Sequence, residues 1–94
     1  MNKLPILYIK PGCPWCNQAQ AFFGQHGVAV DVKDVLSNRG AMQRMIEISS
    51  QSLTPTFEYN DFLVADFSTD EFLDALEQRL EIKSQLGLGE EDDF

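Results

Sequence analysis

The chain has 94 residues, 44% of them hydrophobic, and its 15 Asp and Glu against 7 Lys and Arg give a net charge of −8. That length suits one domain around one core, and the acidic balance disfavours nucleic acid, whose phosphates need clustered Lys or Arg. No apolar run nears the roughly 20 residues that cross a bilayer, and no signal peptide is expected, because a strand begins within a few residues of the start.

Leu4 to Ile9 is apolar on both faces, as a central strand is, with Pro5 tolerated at its beginning. Lys10-Pro11-Gly12 reads as a turn. A helix is predicted from Pro14 to about His26, with Ala19, Phe22 and Phe23 as its buried stripe and Gly27 as its stop. Val28, Val30 and Val32 alternate with Ala29, Asp31 and Lys33, the pattern of a half-exposed strand. Strand, helix and strand in this order imply a right-handed parallel crossover. Ser37 or Asn38 caps a second helix of about a dozen residues, whose inner stripe is Met42, Met45 and Ile46. Gly40 weakens its first turn.

Thr56 to Tyr59 and Phe62 to Ala65 read as short strands around Asn60-Asp61, two residues that tolerate positive φ in a tight hairpin. Ser68 or Thr69 caps a third helix. Asp70 and Glu71 lie favourably in its first turn, and Phe72, Leu73, Leu76 and Leu80 face the core. Residues 1–83 form the domain. Residues 84–94, with two glycines and four clustered acids, read as a flexible acidic tail. The expected architecture is α/β, βαβ-α-ββα: a four-stranded mixed sheet flanked by three helices.

Charge is distributed unevenly. The first thirty residues carry Lys3 and Lys10 and no acid, whereas residues 51–94 carry twelve acids against Arg79 and Lys83. Solubility is the plain reading of that acidity.

The chemistry is concentrated in Cys13-Pro14-Trp15-Cys16, which holds both cysteines of the chain. A C-x-x-C at a strand-to-helix junction is a thioredoxin-like redox signature. At a helix N-cap, Cys13 faces unpaired backbone N–H groups and the positive end of the helix dipole, which favour the thiolate. Lys10 adds a nearby positive charge. Cys16 follows three residues on, on the same face, at a spacing that suits a disulfide. The exposed Cys13 is expected to attack a substrate disulfide, and Cys16 to resolve the mixed disulfide. A structural bridge over so short a loop would add little, and four zinc ligands are not at hand with only His26 as a further soft donor. Paired free thiols point to a reducing, cytoplasmic setting.

Several other residues are read as structural. His26 is a partner for a helix C-terminus, Met42 and Met45 are core, Asp31 and Asp34 are solvated, and the Tyr8 hydroxyl finds a hydrogen bond. Thr54-Pro55 precedes the third strand, and sequence statistics alone favour a trans bond there.

Lys10-Pro11-Gly12-Cys13-Pro14-Trp15-Cys16, Thr54-Pro55-Thr56-Phe57 and Phe67-Ser68-Thr69-Asp70, in this order over roughly residues 3–80, resemble a glutaredoxin, a member of the thioredoxin-fold superfamily. The resemblance implies that Cys13 is the nucleophile and Cys16 the resolving thiol. It implies a cis Thr54-Pro55 bond, with the Thr54 backbone pairing to the cysteine of glutathione. Lys10 then helps hold the anion, and the helix start at Ser68 and Thr69 receives the γ-glutamyl end. Trp15 reads as a partner-contact residue or as a half-exposed aromatic packed on its own helix. No tightly bound cofactor or metal is implied. The resemblance further implies glutathione as co-substrate, protein disulfides or glutathione mixed disulfides as substrates, and a monomer.

The family usually carries a Gly-Gly pair before the last helix, where this chain has Ala65-Asp66-Phe67. Losing the glycines restricts close backbone approach, and Asp66 repels a ligand with two carboxylates. In this region the chain also resembles the short redoxins that are recharged by thioredoxin reductase and serve ribonucleotide reductase. A third alternative is a glutathione-dependent dimer around an iron–sulfur cluster. Pro14 argues against it by stiffening the turn, and Cys16 by competing for Cys13 as a disulfide partner.

Overall fold

The computed structural model describes residues 4–88. Its elements are β1 (Ile6–Ile9), α1 (Pro14–Gln25), β2 (Asp31–Asp34), α2 (Arg39–Ser49), β3 (Thr56–Tyr59), β4 (Phe62–Ala65), α3 (Thr69–Glu77) and α4 (Leu80–Gln85). The strands form one sheet in the order β2-β1-β3-β4. β1 runs parallel to β2 and antiparallel to β3, and β3 and β4 form the hairpin expected at Asn60-Asp61. Asn60 takes the positive φ there, at 54°.

Alternation along β1 divides the core. Leu7 faces α1, α3 and α4, where it packs with Ala19, Phe23, Phe57, Phe72, Leu76 and Ile82. Tyr8 faces α2 and packs with Val35, Ala41 and Met45. Its hydroxyl donates to Glu58 at 2.7 Å, and Glu58 also accepts from Arg44 at 2.6 Å. The first face is aromatic. The Phe72 ring lies 4.8 Å from Phe57, 5.1 Å from Phe23 and 5.3 Å from Phe67, in edge-on and tilted arrangements that such rings favour.

Four of the sequence expectations change. The third helix is two helices, so four rather than three flank the sheet. Gln78 and Arg79 bond back to Ala75 and Leu76, tightening the end of α3. Arg79 then leaves the helical path and pairs with Asp61 of the hairpin turn at 2.9 Å and with Glu81 at 2.6 Å. The break shifts the phase of the buried face, leaving Leu80 60% exposed and turning Ile82 inward.

The expected tail boundary at residue 84 falls inside α4. Gly87, at φ 82°, closes that helix, with Leu88 N–H bonded to Lys83 carbonyl and Gly87 N–H to Ser84 carbonyl. These are the paired bonds of a Schellman cap, and the residue beyond the glycine, Leu88, is buried in the core. The acidic remainder of the expected tail, 89–94, lies outside the described residues.

On α2, Ala41 joins Met45 in the core, whereas Ile46 is 43% exposed. β2 pairs only from Asp31 on, so Val28 and Val30 approach as irregular chain, and Val32 is exposed on the edge strand. Asn38 rather than Ser37 caps α2, accepting from Ala41 N–H at 3.0 Å. Among the described residues no helix is long and apolar enough to cross a membrane.

Candidate active site

β1 delivers the chain to the turn at Lys10-Pro11-Gly12. Gly12 has φ 75°, a conformation that a side chain disfavours. Cys13 is the N-cap of α1, with Pro14 in the first turn. Its Sγ accepts a hydrogen bond from Cys16 N–H at 3.1 Å, in the place an N-cap oxygen usually takes. Asn17 N–H bonds to Cys13 carbonyl at 3.1 Å and fixes the first helical turn. Cys16 is 1% exposed and Cys13 partly exposed, both as free thiols.

The two sulfurs are tuned in opposite directions. Partial burial opposes the Cys13 thiolate. Hydrogen bonds from the Cys16 thiol and N–H, the Thr54 hydroxyl and the Trp15 N–H outweigh it and hold the thiol below its ordinary pKa. Deeper burial pushes Cys16 up, and its thiol is further held protonated by donating to Cys13. Thiolate is therefore favoured at the outer sulfur and thiol at the inner one.

Thr54 completes the wall opposite. Its hydroxyl lies 3.8 Å from Cys13 Sγ, as does its carbonyl oxygen. The Thr54-Pro55 bond is cis, the geometry implied by the family resemblance rather than the one favoured by sequence statistics. Pro55 is buried, and its carbonyl accepts from Asp66 N–H at 2.8 Å, joining this wall to the loop before α3.

Sequence reasoning missed what holds Thr54 in place. Gln51 Oε1 accepts from Leu53 N–H at 2.7 Å, while Nε2 donates to Ser49 Oγ, Leu53 carbonyl and Thr56 Oγ1 at 2.9, 3.3 and 3.4 Å. Thr56 Oγ1 donates to Leu53 carbonyl at 2.9 Å. Lys10 latches the same loop: its ammonium donates to Ser52 carbonyl at 2.8 Å rather than to the Cys13 sulfur. Lys10 therefore acts here through the loop, a correction to its expected role as a charge beside the thiolate. Nothing in the local pattern of a lone Gln signals this bracket, since its partners are backbone groups and hydroxyls of common residues.

Beside the dithiol lies a cleft of about 380 Å³, lined by Trp15, Asp66, Phe67, Ser68 and Glu71. Trp15 is 52% exposed. Ser68 is the N-cap of α3: its hydroxyl accepts from Glu71 N–H at 3.2 Å, and Glu71 Oε1 accepts from Ser68 N–H at 2.8 Å. This reciprocal capping box occupies both polar groups of Ser68. Thr69 is the first residue of α3 and does not line the cleft. Of the two acids that could follow the missing glycine pair, Asp66 lines the cleft and Asp70 does not. Asp66 has φ 54°, the left-handed conformation a glycine would otherwise supply.

Residues 6–64, more than half of the chain, match the family model described as Glutaredoxin. A search of curated proteins returned no match. Among solved structures, the thioredoxin-like protein BC3987 is 26% identical with a TM-score of 0.69, covering 77% of this chain and 99% of its own. A glutaredoxin from Brucella melitensis is 28% identical with a TM-score of 0.62, covering 92% and 90% respectively. The glutaredoxin grx-1 of Archaeoglobus fulgidus, at 17% identity and a TM-score of 0.66 over 77% and 84%, shares the fold.

Proposed function

The chain belongs to the glutaredoxin family of thiol–disulfide oxidoreductases, and we propose that it reduces protein disulfides through a Cys13/Cys16 dithiol cycle. The observation that carries this reading is the Cys13 sulfur at the N-cap of α1, bonded by Cys16 N–H and faced by Thr54. Cys13 thiolate attacks one sulfur of the substrate, forming a mixed disulfide and releasing the other sulfur as a thiolate. Cys16 loses its proton and displaces the substrate's remaining sulfur, leaving a Cys13–Cys16 disulfide. Two electrons pass to the substrate, which leaves as a dithiol. Thr54 aligns the incoming chain, and Trp15 contacts it. The working form is a monomer in the cytoplasm.

The oxidised protein must be recharged. Glutathione as co-substrate accords with family membership, with Ser68 and Thr69 at the helix start receiving its γ-glutamyl end. A second reading, recharging by thioredoxin reductase with ribonucleotide reductase as a target, draws support from one observation. The Ser68 N–H that would meet an anion is already bonded to Glu71, and Asp66 adds a second carboxylate to the cleft. Steady-state reduction of a protein disulfide tests both: one arm supplies glutathione with its reductase, the other thioredoxin reductase alone. Turnover in either arm, lost in Cys13→Ser, supports the dithiol reading, and the faster arm identifies the donor. No turnover in both arms refutes it.

A further inference from the structure

The exchange chemistry runs on the sulfurs and the Thr54 wall, and the cleft beside them has a charge pattern of its own. That cleft is tied to the reactive sulfur on both sides. The backbone N–H of Trp15 favours the Cys13 thiolate, and Asp66 N–H is bonded to Pro55 carbonyl, one residue from Thr54. Its wall is a half-exposed indole, Phe67 is buried within it, and its charged lining is two carboxylates, Asp66 and Glu71. Among the described residues no Lys, Arg or His lines it. Glu71 spends one oxygen on Ser68 N–H, a neutral donor, so its negative charge remains.

An aromatic face beside carboxylates is the pairing that recognises a cation. The ring quadrupole attracts an ammonium or guanidinium, and the carboxylates add ion pairing. The same lining repels an acidic chain, and repulsion is as effective as attraction in setting specificity. Resting on the dithiol reading above, we propose that this cleft is a specificity site for a Lys or Arg side chain flanking the target cysteine. Trp15, Asp66 and Glu71 are its determinants. Protein disulfides in basic surroundings are then the preferred substrates. The Lys or Arg stacks on Trp15 while its own cysteine lies against Cys13.

Three short peptides test this, identical except for Lys, Gln or Glu beside a single cysteine capped by thionitrobenzoate. Pre-reduced protein attacks the peptide sulfur, forms the Cys13–peptide disulfide and releases coloured thionitrobenzoate, so one turnover is read directly. The Lys peptide is expected to react on the order of tenfold faster than the Glu peptide at low salt, with the gap narrowing as salt screens it. The ratio should fall toward one in Asp66→Asn/Glu71→Gln, because Asn tolerates positive φ and Gln keeps the capping box. Trp15→Ala should narrow it by a salt-insensitive share. Equal rates for the three peptides, or a ratio unchanged in the double variant, would overturn the cleft assignment and leave the dithiol mechanism standing. Failure of all three to react would overturn the dithiol reading and the cleft with it.

Discussion

None of the groups that stabilise the Cys13 sulfur is a full charge. The sulfur is stabilised by the Cys16 N–H at 3.1 Å and by the Thr54 hydroxyl at 3.8 Å, at the positive end of a twelve-residue helix. The sign of the pH effect follows. A thiol whose pKa is lowered is thiolate above that pKa, so alkylation by a neutral reagent should rise with pH about a midpoint below the value of about 8.5 at which an ordinary cysteine titrates. Cys16, pushed the other way, should stay silent until more alkaline pH. Mass mapping after brief iodoacetamide treatment should find Cys13 labelled first. Labelling of Cys16 ahead of it would refute the assignment. Cys16→Ser should trap a covalent complex with a disulfide substrate, visible on a non-reducing gel, and lose most protein-disulfide turnover. Full turnover in that variant would exclude resolution by Cys16.

At the scale of elements, the site is a meeting of α1 with the loop before β3, and that loop is held by polar bonds as well as by the burial of Thr54 and Pro55. Gln51 bonds to Leu53 on both sides of its amide, and Lys10 bonds to Ser52 carbonyl. Gln51→Ala is therefore expected to loosen Thr54 from the sulfur at a stability cost of about 1 kcal/mol. Disulfide turnover should fall by roughly 10- to 100-fold, in line with what a small misplacement costs a reacting pair. Small-reagent alkylation of Cys13 should change less, because it needs no docking against Thr54. Equal losses in both assays would mean that Gln51 acts on the thiol itself.

This bracket also marks where the sequence stops being informative. Pro14 after Cys13, the hairpin at Asn60-Asp61 and the cap at Ser68 are local signals, and the structure places an element boundary at each. The break between α3 and α4 has no local signal, since Gln and Arg are good helix formers. It coincides with the pairing of Arg79 to Asp61 across eighteen residues. Leu88 was hidden in the same way. Two glycines near acids read as loose chain, yet Gly87 closes a Schellman cap that returns Leu88 to the core. The dithiol was legible because its chemistry is carried by two cysteines three residues apart at one helix start. The Gln51 bracket was not, because its bonds join residues whose types carry no pattern.

Across the whole molecule, one aromatic core links the sheet to the cleft. Phe72 on α3 is fully buried and lies within 6.2 Å, ring to ring, of Phe22, Phe23, Phe57, Phe62 and Phe67. Phe67 in turn lines the cleft beside Trp15. Phe72→Ala removes a ring that five others pack on, and such truncations cost about 3–5 kcal/mol. Against a total stability of roughly 5–15 kcal/mol, that is a large share. The melting temperature should drop by roughly 12–40 °C for a domain this small. Phe72→Leu fills part of the space and should cost less than half as much. Leu80→Ala, at an exposed position, should stay within about 0.5 kcal/mol of the parent and serves as the comparison. Thermal or denaturant unfolding of the three variants decides it. A loss at Leu80 matching that at Phe72 would mean that the core does not end where α3 gives way to α4, and that the aromatic cluster is not the centre of the fold.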